Sequence, residues 1–247
     1  MKYIFANWKM YLDFSETNML AKQLVTEHLP STNTVVVFPI SIASSDVIAT
    51  CRGSAIGVGA QNVAWVPKGA YTGAVSAHIY KELGCSYALV GHSERRHIFG
   101  ETDEAARKKL EASFDAGIIP VVCIGETKED REAGKREYRL KKQLMKLFDG
   151  LVIPEHATVI VAYEPVWAIG TGEACDSVEA AEIHQFIKRE LRQYTKMTIP
   201  VLYGGSVDEK NVVSYLSLDP IDGVLIGSAS THIDSFTRII HLAEKLP

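Results

Sequence analysis

Residues 3–9 read Tyr-Ile-Phe-Ala-Asn-Trp-Lys. Tyr3–Trp8 is a short, mostly apolar run that reads as a buried strand, and the turn at its end decides the fold. An open doubly wound sheet usually carries a glycine-rich turn after its first strand, where backbone approaches a phosphate. Here Ala6-Asn7-Trp8-Lys9 stands in that place, with no glycine. Beyond it, a strand followed by a helical pattern recurs until eight such units are filled. Eight units in 247 residues predict a closed (β/α)₈ barrel, α/β in class, forming a single domain over 1–247.

The remaining strands are expected at Thr34–Phe38, Ile56–Ala60, Tyr87–Val90, Ile119–Ile124, Thr158–Tyr163, Pro200–Tyr203 and Gly223–Ile226. Most are apolar without alternation, as parallel strands covered on both faces should be. Helical spacing marks Ser15–His28, Glu104–Ala116, Glu129–Phe148, Val178–Tyr194, Glu209–Leu216 and Ser235–Leu246, with weaker patterns at Ile42–Thr50 and Ala77–Leu83. Asp176 and Glu179 form a capping-box pattern, and Gly117 and Gly150 read as helix stops. The longest connection, Gln61–Ser76, is rich in glycine, proline and aromatics, which points to a functional or interface loop.

A hydrophobic content of 47% and a charged content of 23% describe a globular chain with ample core. A net charge of −4 argues against a general nucleic-acid or membrane surface, so an anionic ligand needs a local positive site. Cys51, Cys85, Cys123 and Cys175 are widely spaced and show no metal-ligand pattern. With no signal peptide, membrane span or lipidation signal, they suggest a reduced cytoplasmic protein without disulfides or zinc.

In a barrel the C-terminal strand ends form the active face. Strand 1 ends in Asn7 and Lys9, strand 4 in Gly91-His92-Ser93-Glu94, and strand 6 in Glu164. Strands 7 and 8 end in Tyr203-Gly204-Gly205-Ser206 and Ile226-Gly227-Ser228. Singly, each residue has a plainer reading: a solvated lysine, a histidine satisfied by backbone, a surface ion-pair carboxylate, ordinary turn glycines. Together, at one end of different strands, they describe a site. Amides of the two glycine loops suit a phosphate, and Lys9 supplies positive charge. Glu164 is a candidate general base, and His92 a candidate electrophile or acid for a carbonyl oxygen. A base and a polarising donor beside a phosphate grip suggest proton abstraction next to the carbonyl of a small phosphorylated sugar. Tyr163-Glu-Pro-Val-Trp-Ala-Ile-Gly-Thr-Gly172 then hangs an apolar, glycine-ended segment beside the base. As a flap it would expel water, which strengthens a carboxylate as a base, and would shelter an enediolate.

Over essentially its whole length the sequence resembles the triosephosphate isomerase family. The resemblance is carried by Asn7-Trp-Lys-Met10, Gly59-Ala-Gln-Asn62, Gly69-Ala-Tyr-Thr-Gly73, Gly91-His-Ser-Glu-Arg-Arg96, Val122-Cys-Ile-Gly-Glu126, Ala162–Gly172 and Tyr203-Gly-Gly-Ser-Val207. It implies interconversion of dihydroxyacetone phosphate and D-glyceraldehyde 3-phosphate without metal or organic cofactor. It also implies roles. Glu164 is the base and His92 a neutral imidazole on the carbonyl. Asn7 and Lys9 hold substrate, with Glu94 supporting Lys9. The amides of Gly170, Ser206, Gly227 and Ser228 grip phosphate, and 165–175 closes as a lid. Family members are usually homodimers. Loop 62–76 and Met10 are thereby implied to meet a second copy, with Thr72 reaching toward the partner's Asn7 and the partner's Glu94.

Three positions depart from the family pattern. Gly227-Ser228 replaces Gly-Gly, Thr72-Gly73-Ala74 replaces Thr-Gly-Glu, and Glu173-Ala174-Cys175 replaces a Lys-Thr-Ala-like hinge. Phosphosugar epimerases and indole-forming synthases, the nearest barrel alternatives, lack the combination of Lys9, His92, Glu164 and lid. A catalytically silent barrel that binds sugar phosphates is the alternative from another class.

Overall fold

The computed structural model describes residues 1–27, 29, 32–168 and 174–246. Eight parallel strands close in chain order: β1 Tyr3–Asn7, β2 Thr34–Phe38, β3 Ile56–Ala60, β4 Tyr87–Val90, β5 Ile119–Ile124, β6 Ile160–Tyr163, β7 Val201–Tyr203 and β8 Gly223–Ile226. The ring shuts where β8 pairs with β1, Gly223 opposite Tyr3 and Ile226 opposite Ala6. Around it run α1 Phe14–Thr26, α2 Ser44–Cys51, α3 Ala77–Leu83, α4 Ser93–His97, α5 Asp103–Asp115, α6 Lys128–Glu132, α7 Arg136–Phe148, α8 Ser177–Leu191, α9 Val212–Leu216 and α10 Ile233–Glu244. The barrel read from the sequence is the barrel observed.

The strands lack alternation because both of their faces are buried, in two separate layers. Phe5, Val36, Leu89, Val121, Cys123, Ile160, Ala162, Leu202 and Leu225 fill the barrel interior. Their neighbours Ile4, Ala6, Val35, Val37, Val122, Val161 and Ile226 face outward onto helical residues such as Leu24, Leu110, Leu144, Ile187 and Phe236. Strand side chains alternate with a period of two. The inner parity of Phe5 and of Ile160 and Ala162 therefore continues to Asn7 and Glu164, at the top of the interior.

Element ends differ from expectation for local reasons. β1 stops at Asn7, before Trp8, because Lys9 turns into the left-handed region with φ 48°. β6 and β7 begin at Ile160 and Val201, later than expected. The single helix expected over Glu129–Phe148 is two, α6 and α7, parted at Gly134 with φ 66°. α9 starts only at Val212, since Asp208 and Asn211 close the preceding turn through each other's backbone amides. α1 ends at Thr26, and His28 lies outside the described residues. Gly117 and Gly150 do follow helix ends, with φ 69° and 63°. At Asp176 only half of the expected capping box forms. Its carboxylate accepts from the Val178 and Glu179 amides, while Glu179 turns to Arg131 and Arg136 instead. Short α4 went unpredicted, because its five residues are mostly charged.

One buried group ties stability to pH. His184 on α8 is fully buried, edge-on to the Tyr163 ring at 5.7 Å, with Nδ1 2.7 Å from the Ala180 carbonyl. That contact places its proton on Nδ1, and Nε2 has no well-aligned partner among the described residues. Burial pushes the imidazole down to about 4, from 6.5. The unfolded chain then binds a proton that the folded one refuses, so the stability present above pH 6.5 is lost as pH falls toward 4. The full loss is about 3 kcal/mol. Urea midpoints should fall across this window, and more steeply for the wild type than for His184→Gln; equal slopes would remove His184 as the cause.

Candidate active site

Glu164 sits where the barrel is narrowest in tolerance. Its amide donates to the Ile124 carbonyl at 2.7 Å, and the Gly204 amide donates to the Tyr163 carbonyl at 2.7 Å. On one side its carbonyl lies over Gly125, where an added Cβ would come within 1.7 Å of it. No residue larger than glycine fits there, so the main chain at Glu164 is set by direct contact between neighbouring strand ends. Gly125 in turn donates its amide to the buried Gln143 side chain at 2.9 Å.

The Glu164 side chain is almost wholly enclosed, the residue being 1% exposed. Its Oε2 accepts from the Ser93 amide at 2.8 Å, and its Oε1 lies 3.1 Å from His92 Nε2. The Cys123 thiol, on β5, also hydrogen-bonds this carboxylate. His92 caps α4. Its Nδ1 accepts from the Glu94 amide at 3.2 Å, so the neutral ring carries its proton on Nε2, facing Glu164.

Lys9 completes the mouth. Among the described residues it is the one non-glycine with positive φ, at 48°, a conformation costing roughly 1 kcal/mol. Neighbours hold it there. Its amide donates to Asn7 Oδ1 at 3.1 Å, and its carbonyl accepts from Gln61 Nε2 at 2.8 Å. Nζ pairs with Glu94 at 2.9 Å. The strain aims the ammonium at the β8 loop, where a Cβ built on Gly227 would stand 3.7 Å from Nζ.

These groups line a cavity of about 400 Å³. Asn7, Lys9, His92 and Glu164 line it together with Ser206, Gly227 and Ser228. Of the residues expected at the site, the structure brings all of these together, with Glu94 behind Lys9; Gly170 lies outside the described residues, as does most of the glycine-rich part of the expected lid. Ser206 Oγ donates to the Ala168 carbonyl at 2.6 Å, tying the β7 loop to the start of that segment. Sequence reading gave no role to Gly125, Gln61 or Glu126, and missed the lining by Tyr11, Asp208, Asn211 and His232. Glu126 was open to the logic that found Glu164, being a carboxylate at a strand tip.

A profile of the family described as triosephosphate isomerase matches residues 2–243. The chain belongs to the triosephosphate isomerase family. It is 42% identical to the triosephosphate isomerase of Francisella philomiragia subsp. philomiragia, over 99% of this chain and 98% of that protein. It is 41% identical to that of Francisella tularensis subsp. mediasiatica, with the same coverage. It is also 41% identical to that of Moorella thermoacetica, over 96% of this chain and 97% of the other.

Among the departures from the triosephosphate isomerase pattern, Ser228 and Ala174 both line the cavity, and Ser228 lies on the β8 loop. It opens the 3₁₀ turn Ser228–Thr231 and lies outside the left-handed region, so its Cβ carries no backbone penalty. Ser228→Gly should therefore leave KM for a triose phosphate within about twofold, a change smaller than ~0.5 kcal/mol. A large fall in KM in steady-state assays would show that serine obstructs the loop.

Proposed function

We propose that this chain interconverts dihydroxyacetone phosphate and D-glyceraldehyde 3-phosphate in the cavity at the barrel mouth, as a single cytoplasmic barrel domain over 1–247. The observation that carries the reading is the buried Glu164 carboxylate, its Oε1 3.1 Å from His92 Nε2, in a cavity also lined by the loops after β7 and β8. A glutamate base, a neutral imidazole electrophile and a closing loop are known features of this family, and the roles given to Glu164, His92 and 165–175 accord with them.

The phosphate sits against the amides of Ser206, Gly227 and Ser228, joined by Gly170, with Lys9 supplying charge. Asn7 and Lys9 position the three-carbon chain, and Glu94 steadies Lys9. The substrate carbonyl oxygen takes the place beside His92 Nε2 that Glu164 Oε1 now occupies. The carboxylate turns about its own side-chain torsions toward the adjacent carbon and removes a proton. The electron pair moves onto the oxygen, where the Nε2 hydrogen bond stabilises the enediolate. The same carboxyl returns the proton to the neighbouring carbon. No step calls for a metal ion or redox cofactor. Segment 165–175, closing over Glu164, keeps water from the enediolate.

Two copies pair through loop 62–76 and Met10. In support, exposed apolar residues crowd the loops after four adjacent strands. Met10 follows β1, Ile42 follows β2, Trp65 and Tyr71 follow β3, and Ile98 and Phe99 follow β4. A patch of this kind marks a contact surface. Among the described residues no helix is long and apolar enough to cross a membrane.

Purified protein should isomerise glyceraldehyde 3-phosphate, and Glu164→Gln should lower kcat by about 10²–10⁴ while 2-phosphoglycolate still binds. A folded wild type that binds the analogue without turnover would favour the silent sugar-phosphate binder. On dilution, specific activity and sedimentation coefficient should fall together; full activity in a species sedimenting as a monomer would refute the need for the second copy.

A further inference from the structure

Trp167 and Cys175 stand on either side of residues 169–173, and a closed ring of side chains joins them behind the site. Trp167 Nε1 donates to Glu126 Oε1 at 2.8 Å. Glu126 is fully buried, also accepts from Tyr163 Oη at 3.0 Å, and lies 3.4 Å from Arg136 Nε. The far end of the same guanidinium bonds Glu179 through Nη2. Glu179 accepts from Cys175 Sγ at 3.7 Å and from Arg131 Nη2 at 3.3 Å. Arg131 completes the ring by stacking on the Trp167 indole, its guanidinium carbon 3.8 Å from the ring centre. The parts come from five places: the end of β5, α6, the start of α7, the turn after β6 and the first turn of α8.

Arg136 is the member that reaches both carboxylates. Glu126 holds Trp167, three residues from Glu164 through Pro165 and the short turn Val166–Ala168. Glu179 holds Cys175, whose main chain is gripped independently. Its amide donates to Tyr203 Oη at 3.3 Å, and its carbonyl accepts from Tyr215 Oη at 2.5 Å. A shift at either end is therefore transmitted to the other through one guanidinium. The chain from Trp167 to the base is short and stiffened by proline, so it also reaches Glu164.

We propose that Arg136 is a positioning residue for the reaction, locking Glu126 to Glu179 so that Trp167 and Cys175 move as one unit and hold the Glu164 carboxylate in register. The inference rests on the isomerase reading above. It assigns no contact with substrate to Arg136, so its loss should act on kcat more than on KM. A poorly kept register also leaves the enediolate open to a side reaction. The carbon–oxygen bond to phosphate breaks, its electron pair leaves with inorganic phosphate, and the remaining enol tautomerises to methylglyoxal.

The test compares wild type, Arg136→Gln, Arg136→Lys, Glu179→Gln and the Arg136→Gln/Glu179→Gln double variant. Each is measured for kcat, KM, thermal midpoint and inorganic phosphate released per isomerisation. Expected are a roughly tenfold fall in kcat for Arg136→Gln and Glu179→Gln, KM within about twofold, and more phosphate per turnover. Arg136→Lys, which keeps the charge but not the two-ended reach, should recover only part of the rate. The double variant should be no worse than the poorer single, since both cut one link. Singles that match the wild type in kcat and phosphate release would overturn the proposal. So would losses that multiply in the double variant, or a lowered thermal midpoint with unchanged phosphate per turnover. If Arg136→Gln does not fold, Arg131→Gln at the solvent side of the ring takes its place, with about a threefold fall in kcat expected and an unchanged rate as the refuting result. An inactive wild type would instead overturn the isomerase reading itself.

Discussion

The structure depends on one close contact between strand ends: the Glu164 carbonyl resting on the bare face of Gly125, with the Glu164 amide bonded to Ile124. That contact is a packing constraint before it is a chemical one. It sets the spacing of β5 and β6 at their upper ends, and a barrel closed in strict neighbour order passes any change in spacing around the ring. With the main chain held, the Glu164 side chain has little choice of direction, and the Ser93 amide and His92 ring meet it from β4 and α4. The geometry around Glu164 is thus a by-product of how tightly the neighbouring strands fit.

Burial and reactivity are reconciled unevenly across the site. Most buried polar groups are matched with partners, because leaving them unmatched costs stability. The exceptions among the described residues include Glu126 Oε2, behind the site, and Thr17 Oγ1, Glu101 Oε2 and His184 Nε2 away from it. Burial pushes the Glu126 carboxyl upward, while bonds from Trp167 and Tyr163 oppose that. Unmatched hydrogen-bonding capacity is spread over the described residues, and the barrel's two apolar layers supply the stability that tolerates it.

Much of this was legible in the sequence, and the limits have physical causes. Five of eight strands were placed to the residue, since fully buried parallel strands leave uninterrupted apolar runs. Reading only the strand ends found Asn7, Lys9, His92, Glu164, Ser206, Gly227 and Ser228. Boundaries slipped where conformation is decided by tertiary contacts. Lys9 is left-handed only because Asn7, Gln61 and Glu94 hold it so. The Asp176–Glu179 box half-formed because two arginines distant in sequence outcompete a local amide for Glu179. The role of Gly125 was hidden because a glycine after a strand looks the same whether it turns the chain or makes room for a neighbour.

The left-handed backbone of Lys9 also bears on descent. A lysine in that conformation is retained against a standing cost to the fold, and glycine at the same position would relieve it while removing the cation. Given the role proposed for Lys9, selection for turnover and selection for foldability pull this residue in opposite directions. In a lineage released from the need to catalyse, position 9 is where decay should show early, ahead of Gly125, whose replacement would disturb the barrel.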